Sequence, residues 1–125
     1  LVLVSINKRF PGHARKIING LWGLGLMMLA KCVIVFDADV DVQNASQAMF
    51  HALNNVDWAR DVVIQEGPTD ALDHASYRFA FGGKIGVDAT RKLPGEGYAR
   101  GWPDLIQMSP EIKARVDELW EQLGL

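Results

Sequence analysis

Three carboxylates at alternate positions, Asp37, Asp39 and Asp41 in "DADVDVQN", form the densest acidic run of the chain. In extended backbone such residues share one face, where they could grip a hard cation. The run is not an EF-hand loop, because Val42 stands where a glycine is required and Ala48 where a bidentate glutamate would close the site. A solvated strand end with helix-capping duties is the plainer reading. The histidines His13, His51 and His74 make no local zinc motif, and the first two read as surface or capping groups. His74 follows Asp70 and Asp73 in a loop, the kind of segment that carries function.

Glycines and cations gather in "GGKIGVDATRKLPGEG", from Gly82 to Gly97. The segment lacks both GxxxxGK[ST] and GxGxxG, so a nucleotide cradle is excluded as the first reading. Turn chemistry fits better: Gly82 and Gly83 would allow positive φ before a short strand, and Pro94 to Gly97 would make a second turn. Lys84, Arg91 and Lys92 remain free to meet an anion, with Lys84 the anion-contact candidate.

The elements that must position these groups alternate between two periods. Leu1 to Ile6 reads as a strand covered on both faces. Near Pro11 a helix begins whose apolar members run from Ile17 to Leu29, and Gly20, Gly23 and Gly25 imply either close packing or a break near Gly25. Cys32 to Phe36 is a second strand, Asn44 or Ser46 caps a helix carrying Ala48, Met49, Ala52 and Leu53, and Asp61 to Ile64 is a third strand. Beyond Glu66 the pattern turns irregular, with short strands expected at Tyr77 to Phe81 and Ile85 to Ala89. Ser109 and Pro110 open a terminal helix on which Ile112, Val116, Leu119, Trp120 and Leu123 fall on one face. That face would either pack on its own domain or form an oligomer interface. The expected fold class is α/β, a layered sheet of mostly parallel strands built from βαβ units, with a loop-rich second half and an amphipathic C-terminal helix.

Size and charge bound the function. A chain of 125 residues with 49% hydrophobic content is one folded domain. A net charge of -2 offers no field for nucleic acid. The apolar run Leu21 to Ala30 is half the roughly 20 residues a membrane span needs, so no transmembrane segment is expected. The single cysteine, Cys32, reads as a small buried hydrophobe in a reducing compartment, which points to the cytoplasm. "LVLVSI" looks like a strand entered in mid-sequence, so the chain is expected to be part of a longer protein.

The blocks "INKRFPGHARK", "KCVIVFDADVDVQN", "GPTDALDHAS" and "GGKIGVDATRKLPGEG", in this order and spacing, resemble the C-terminal domain of UbiD-type decarboxylases, in a variant similar to the menaquinone-biosynthesis branch. The resemblance implies non-oxidative decarboxylation of aromatic or α,β-unsaturated acids by prenylated FMN, with a divalent metal (Mn or Mg) and a monovalent cation. It places flavin, metal and acid/base residues in an upstream catalytic domain, so this chain alone is expected to be inactive, with no catalytic or metal-binding residue of its own. What it implies here is a cleft wall, a moving domain and a homo-oligomer contact through the last helix. Thr69, Asp70, Leu72 and His74 become the substrate-cleft candidates, Leu72 as the apolar wall. Some members reach the cofactor with a lysine before the second strand, whereas "GLGLMMLAK" has glycine and apolar residues there. Two rival readings follow from the residues alone: a non-catalytic α/β association module, and an acidic metal-binding protein.

Overall fold

The computed structural model describes residues 1–124. Four strands form one sheet in the order β1-β2-β4-β3: β1 (Val2–Ile6), β2 (Cys32–Asp37), β3 (Val62–Pro68) and β4 (Phe81–Asp88). β1 and β4 both run parallel to β2, with Val4 opposite Val35 and Ile85 opposite Cys32. The strands are connected through α1 (His13–Trp22) and α2 (Ala45–Asn55), and α3 (Pro110–Leu123) ends the fold.

Alternation along the strands explains the layers. Val33 and Val35 point to one face and are buried with Ala14, Ile18 and Trp22 of α1. Phe36 and Val87 are buried on the other face with Ala48 and Ala52 of α2. Both faces of β2 are therefore covered, which is why its sequence reads as a continuous apolar run.

Several boundaries differ from the sequence expectation. The first helix stops at Trp22, and the apolar residues beyond it form a separate 3-10 segment, Gly25–Leu29. The break falls at Gly23 and Leu24, just ahead of Gly25: Gly23 caps the helix, Leu24 is extended, and Gly25 opens the 3-10 segment with a φ of 44°. The third strand is antiparallel, pairing with β4 at the sheet edge in the register Ile64 to Ile85. Its partner follows directly along the chain, and a local connection without a crossover helix returns antiparallel. Tyr77 to Ala80 is not a strand: Ala80 adopts φ 54°, and pairing is limited to the Arg78–Phe81 bridge until β4 begins.

Gly82 and Gly83 are not turn residues either. Both lie inside β4, and the glycines with positive φ are elsewhere. Gly86 has a packing reason, because a Cβ there would meet Ile18 Cγ2 at 2.5 Å. The glycine lets α1 lie close on the sheet.

Candidate functional site

Residues 69–80 connect β3 to β4 and contain all four cleft candidates. Thr69 is buried, with its N–H on the Ala80 carbonyl at 3.1 Å, so it belongs to the base of the loop. Asp70 accepts the Leu72 N–H through Oδ1 at 2.8 Å, making a local turn. Leu72 projects from that turn 89% exposed, and Phe79 is 86% exposed. His74 is exposed beside them. The structure therefore brings Leu72 and His74 to the surface of one loop and withdraws Thr69 into its footing.

Asp73, which the sequence offered only as a neighbour of His74, is the centre of this loop. Its carboxylate accepts from Lys31 Nζ at 2.8 Å, from Ser76 Oγ at 2.6 Å and from the Ala75 N–H at 3.2 Å. The Lys31 and Ser76 hydrogen bonds hold its carboxyl down to about 2. The Asp73/Ser76 spacing is a readable turn signal, but Lys31 lies too far along the chain to be seen from it.

Lys84 is placed away from any anion approach. Its ammonium is buried, donates to the Met28 carbonyl and lies 5.8 Å from the Trp22 ring centroid. Burial pushes its pKa down. Lys84 fastens the 3-10 segment to the sheet, while the Trp22 Nε1–H bond to the Ala30 carbonyl at 2.9 Å ties the end of that segment to α1.

A second polar cluster sits at the carboxyl ends of β1 and β4 and was not legible beforehand. Lys8 contacts Glu96 at 2.6 Å and Asp88 at 3.6 Å, while Lys92 contacts Asp88 at 3.3 Å and Asp61 at 3.4 Å. Arg60 closes the set on Asp61 at 2.8 Å. Burial raises the Asp61 carboxyl, but Arg60, the Asp57 N–H and Lys92 outweigh it and hold the pKa below the ordinary value. For Glu96 burial likewise opposes, and Lys8 with the Leu93 and Gly12 N–H groups prevails in the same direction. The cluster borders a cavity of about 180 Å³ lined in part by Gly12, Arg15 and Val63. The charges satisfy one another, so the cluster is a clamp joining the strand ends to the 91–97 turn.

The acidic run does not converge. Asp37 accepts the Arg91 N–H at 2.7 Å, Asp39 pairs with the Arg91 guanidinium, and Asp41 caps the Gln43 N–H at 2.9 Å. Among the described residues no group of three His, Cys, Asp or Glu side chains is placed to hold a metal ion. Cys32 is half-buried, and burial pushes its thiol pKa up. No helix among the described residues is long and apolar enough to cross a membrane.

The terminal helix carries its apolar stripe in the open. Ser109 caps it, and Ile112, Val116, Leu119, Trp120 and Leu123 are 40% to 69% exposed. No residue of α3 is buried, so the alternative of packing on its own domain is not what the fold does.

A mostly parallel sheet covered by a helix on each face, with an ordered loop holding apolar side chains outward and a solvent-exposed terminal helix, defines a layered α/β domain. The chain belongs to the family described as the 3-octaprenyl-4-hydroxybenzoate carboxy-lyase C-terminal domain, UbiD_C, whose model matches residues 1–89. An uncharacterized protein of Aquifex aeolicus is 52% identical over 122 residues, covering 98% of this chain and 25% of that protein. The vanillic acid decarboxylase of Sedimentibacter hydroxybenzoicus in its closed form superposes with a TM-score of 0.82 at 27% identity, covering 98% of this chain and 26% of that one. The UbiD-class enzyme HmfF of Pelotomaculum thermopropionicum, solved with FMN, gives 0.70 at 25% identity over 94% of this chain and 26% of that one. The chain thus spans about a quarter of the length of the relatives it matches.

Proposed function

We propose that this chain is the C-terminal part of a cytoplasmic UbiD-like carboxy-lyase acting without oxidation on an aromatic or α,β-unsaturated acid of the quinone-biosynthesis type. In this reading the upstream catalytic domain holds prenylated FMN, a divalent metal (Mn or Mg) and a monovalent cation. The residues of this chain do not fit those groups: Asp37 and Asp39 are held by Arg91, Asp61 by Arg60 and Lys92, and Asp88 and Glu96 by Lys8, while Gly82 and Gly86 face the Ser76 and Ile18 side chains. Its contribution is a wall for the substrate cleft, closure of that cleft and assembly of the oligomer.

The observation that carries the proposal is Leu72, held 89% exposed at the tip of an internally hydrogen-bonded loop. An apolar side chain kept in water by local structure is poised to meet a partner surface. On closure it would exclude water from a carboxylate that leaves as neutral CO₂. Open and closed forms of the Sedimentibacter enzyme lend support to such a movement. The exposed stripe of α3 favours the association role as a second duty of the same chain.

The test is Leu72→Ala in a polypeptide that carries the catalytic domain, followed by CO₂ release from unsaturated acids. One lost apolar contact should lower kcat/KM by about tenfold or more. Unchanged kcat/KM would remove the cleft-wall reading and leave the association module.

A further inference from the structure

The loop at residues 69–80 is organised inside out. Its apolar side chains Leu72, Tyr77 and Phe79 are 89%, 60% and 86% exposed, while its interior is polar. Left to apolar forces, these side chains would collapse onto the neighbouring sheet edge, where Ile64 is 77% exposed. Leu72 and Phe79 are held off by hydrogen bonds running through the loop, while the Tyr77 hydroxyl donates to Glu66 of β3 at 2.9 Å.

We infer that Thr69, Ser76, Asp73 and Lys31 form a positioning spine that fixes this loop in the shape presenting Leu72, an inference that rests on reading the loop as a cleft wall. The direction of the bonds is determined by counting hydrogens. Ser76 has one hydroxyl hydrogen and gives it to Asp73 Oδ2 at 2.6 Å, so at 3.0 Å its oxygen accepts from Thr69. The Lys31 ammonium then spans both Asp73 oxygens, at 3.0 and 2.8 Å. The order is Thr69 to Ser76 to Asp73, with Lys31 closing on Asp73 from the start of β2.

Two further features belong to the same device. Gly82 leaves room for Ser76, since a Cβ at this position would stand 2.5 Å from Ser76 Oγ. Ala80 holds φ 54°, an uncommon conformation for a residue with a side chain, directly after the exposed Phe79. Its carbonyl is fastened by the Thr69 N–H at 3.1 Å. Thr69 thus anchors both the polar spine and the strained turn, which explains a buried threonine at the foot of a solvent-facing loop. None of the four residues needs to touch substrate; they act through the placement of Leu72.

The experiment compares Thr69→Val, Thr69→Ser and Asp73→Asn in a polypeptide carrying the catalytic domain. Hydrogen exchange is read over residues 69–80 against β2 and β4, and steady-state kinetics are read as KM and kcat separately. Thr69→Val keeps the side-chain shape and loses one hydrogen bond, so exchange in the loop should rise about tenfold with the strands unchanged. KM should rise with kcat nearly constant, Asp73→Asn should act in the same direction, and Thr69→Ser should restore both readouts. Unchanged loop exchange in both Thr69→Val and Asp73→Asn overturns the spine. Faster exchange with unchanged KM, in a protein where Leu72→Ala does raise KM, overturns positioning while leaving the wall intact. If Leu72→Ala also leaves the kinetics unchanged, the wall reading itself has failed.

Discussion

Replacing Lys92 with methionine tests whether the clamp at the strand ends holds the fold together. The Lys92 side chain is 1% exposed, donates to the Asp88 carbonyl at 2.7 Å and the Thr90 carbonyl at 2.9 Å, and faces Asp61 and Asp88 carboxylates. Methionine keeps the apolar stem and removes the ammonium, leaving two carbonyls, the buried Asp61 carboxylate and the partly buried Asp88 carboxylate short of a partner. Breaking a buried pair in this way costs about 3–5 kcal/mol. Asp61 retains Arg60 and Asp88 retains Lys8, which places the loss near the lower end. About 3 kcal/mol is a large part of the roughly 5–15 kcal/mol that holds a domain folded. Urea unfolding should show the midpoint falling with an unchanged slope. The double variant Lys92→Met with Asp61→Asn should lose less than the sum of the singles, because the orphaned carboxylate is gone. A loss below about 1 kcal/mol would mean that desolvation of the ammonium already cancels its bonds, and the clamp would then be a matter of specificity alone.

Gly86→Ala should lower stability by about 1–3 kcal/mol through overpacking, since its Cβ meets Ile18 at 2.5 and 3.0 Å. A melting temperature equal to the parent's would show that α1 can shift freely. Acid should destabilise the chain through Asp61 and Glu96, whose folded pKa values lie below their unfolded ones. Their contribution is fully present above about pH 4.5 and is lost as the pH falls through the folded values. Urea midpoints measured from neutral pH downward should decline in that window, and Glu96→Gln should flatten part of the decline. Trp120→Asp on the exposed stripe of α3 should convert an associated species to a smaller one in sedimentation, with the far-UV circular dichroism unchanged. Identical sedimentation of the two proteins would take the stripe out of assembly.

Much of the fold was legible because it is written in local period. The strands β1 and β2 announced themselves as valine-rich runs, although β1 lies at the sheet edge and is only partly buried, and Asn44 and Ser109 cap their helices as their side chains suggest. The amphipathic spacing of α3 was equally plain, although a period cannot say what covers the stripe. The direction of β3 was not legible, since a short apolar run is the same in either orientation. The site divided in the same way. Leu72 lies on a loop whose turn residues can be read from "TDALDHAS", whereas Thr69 gave no sign that it would be buried.

The sequence by itself determined that two helices cover a valine-rich sheet, that the terminal helix has one apolar face, and that the loop after β3 is rich in turn-forming aspartates. Tertiary structure alone decided which charges meet. Lys31 reaches Asp73, Lys8 reaches Glu96, and Arg91 occupies Asp37 and Asp39, each across dozens of residues of chain. It also decided why two of the three glycines of "GGKIG" are there: Gly82 clears Ser76 and Gly86 clears Ile18. Periodicity and turn propensity act between near neighbours, while ion pairing and close packing depend on distances that exist only after the sheet has brought remote segments together.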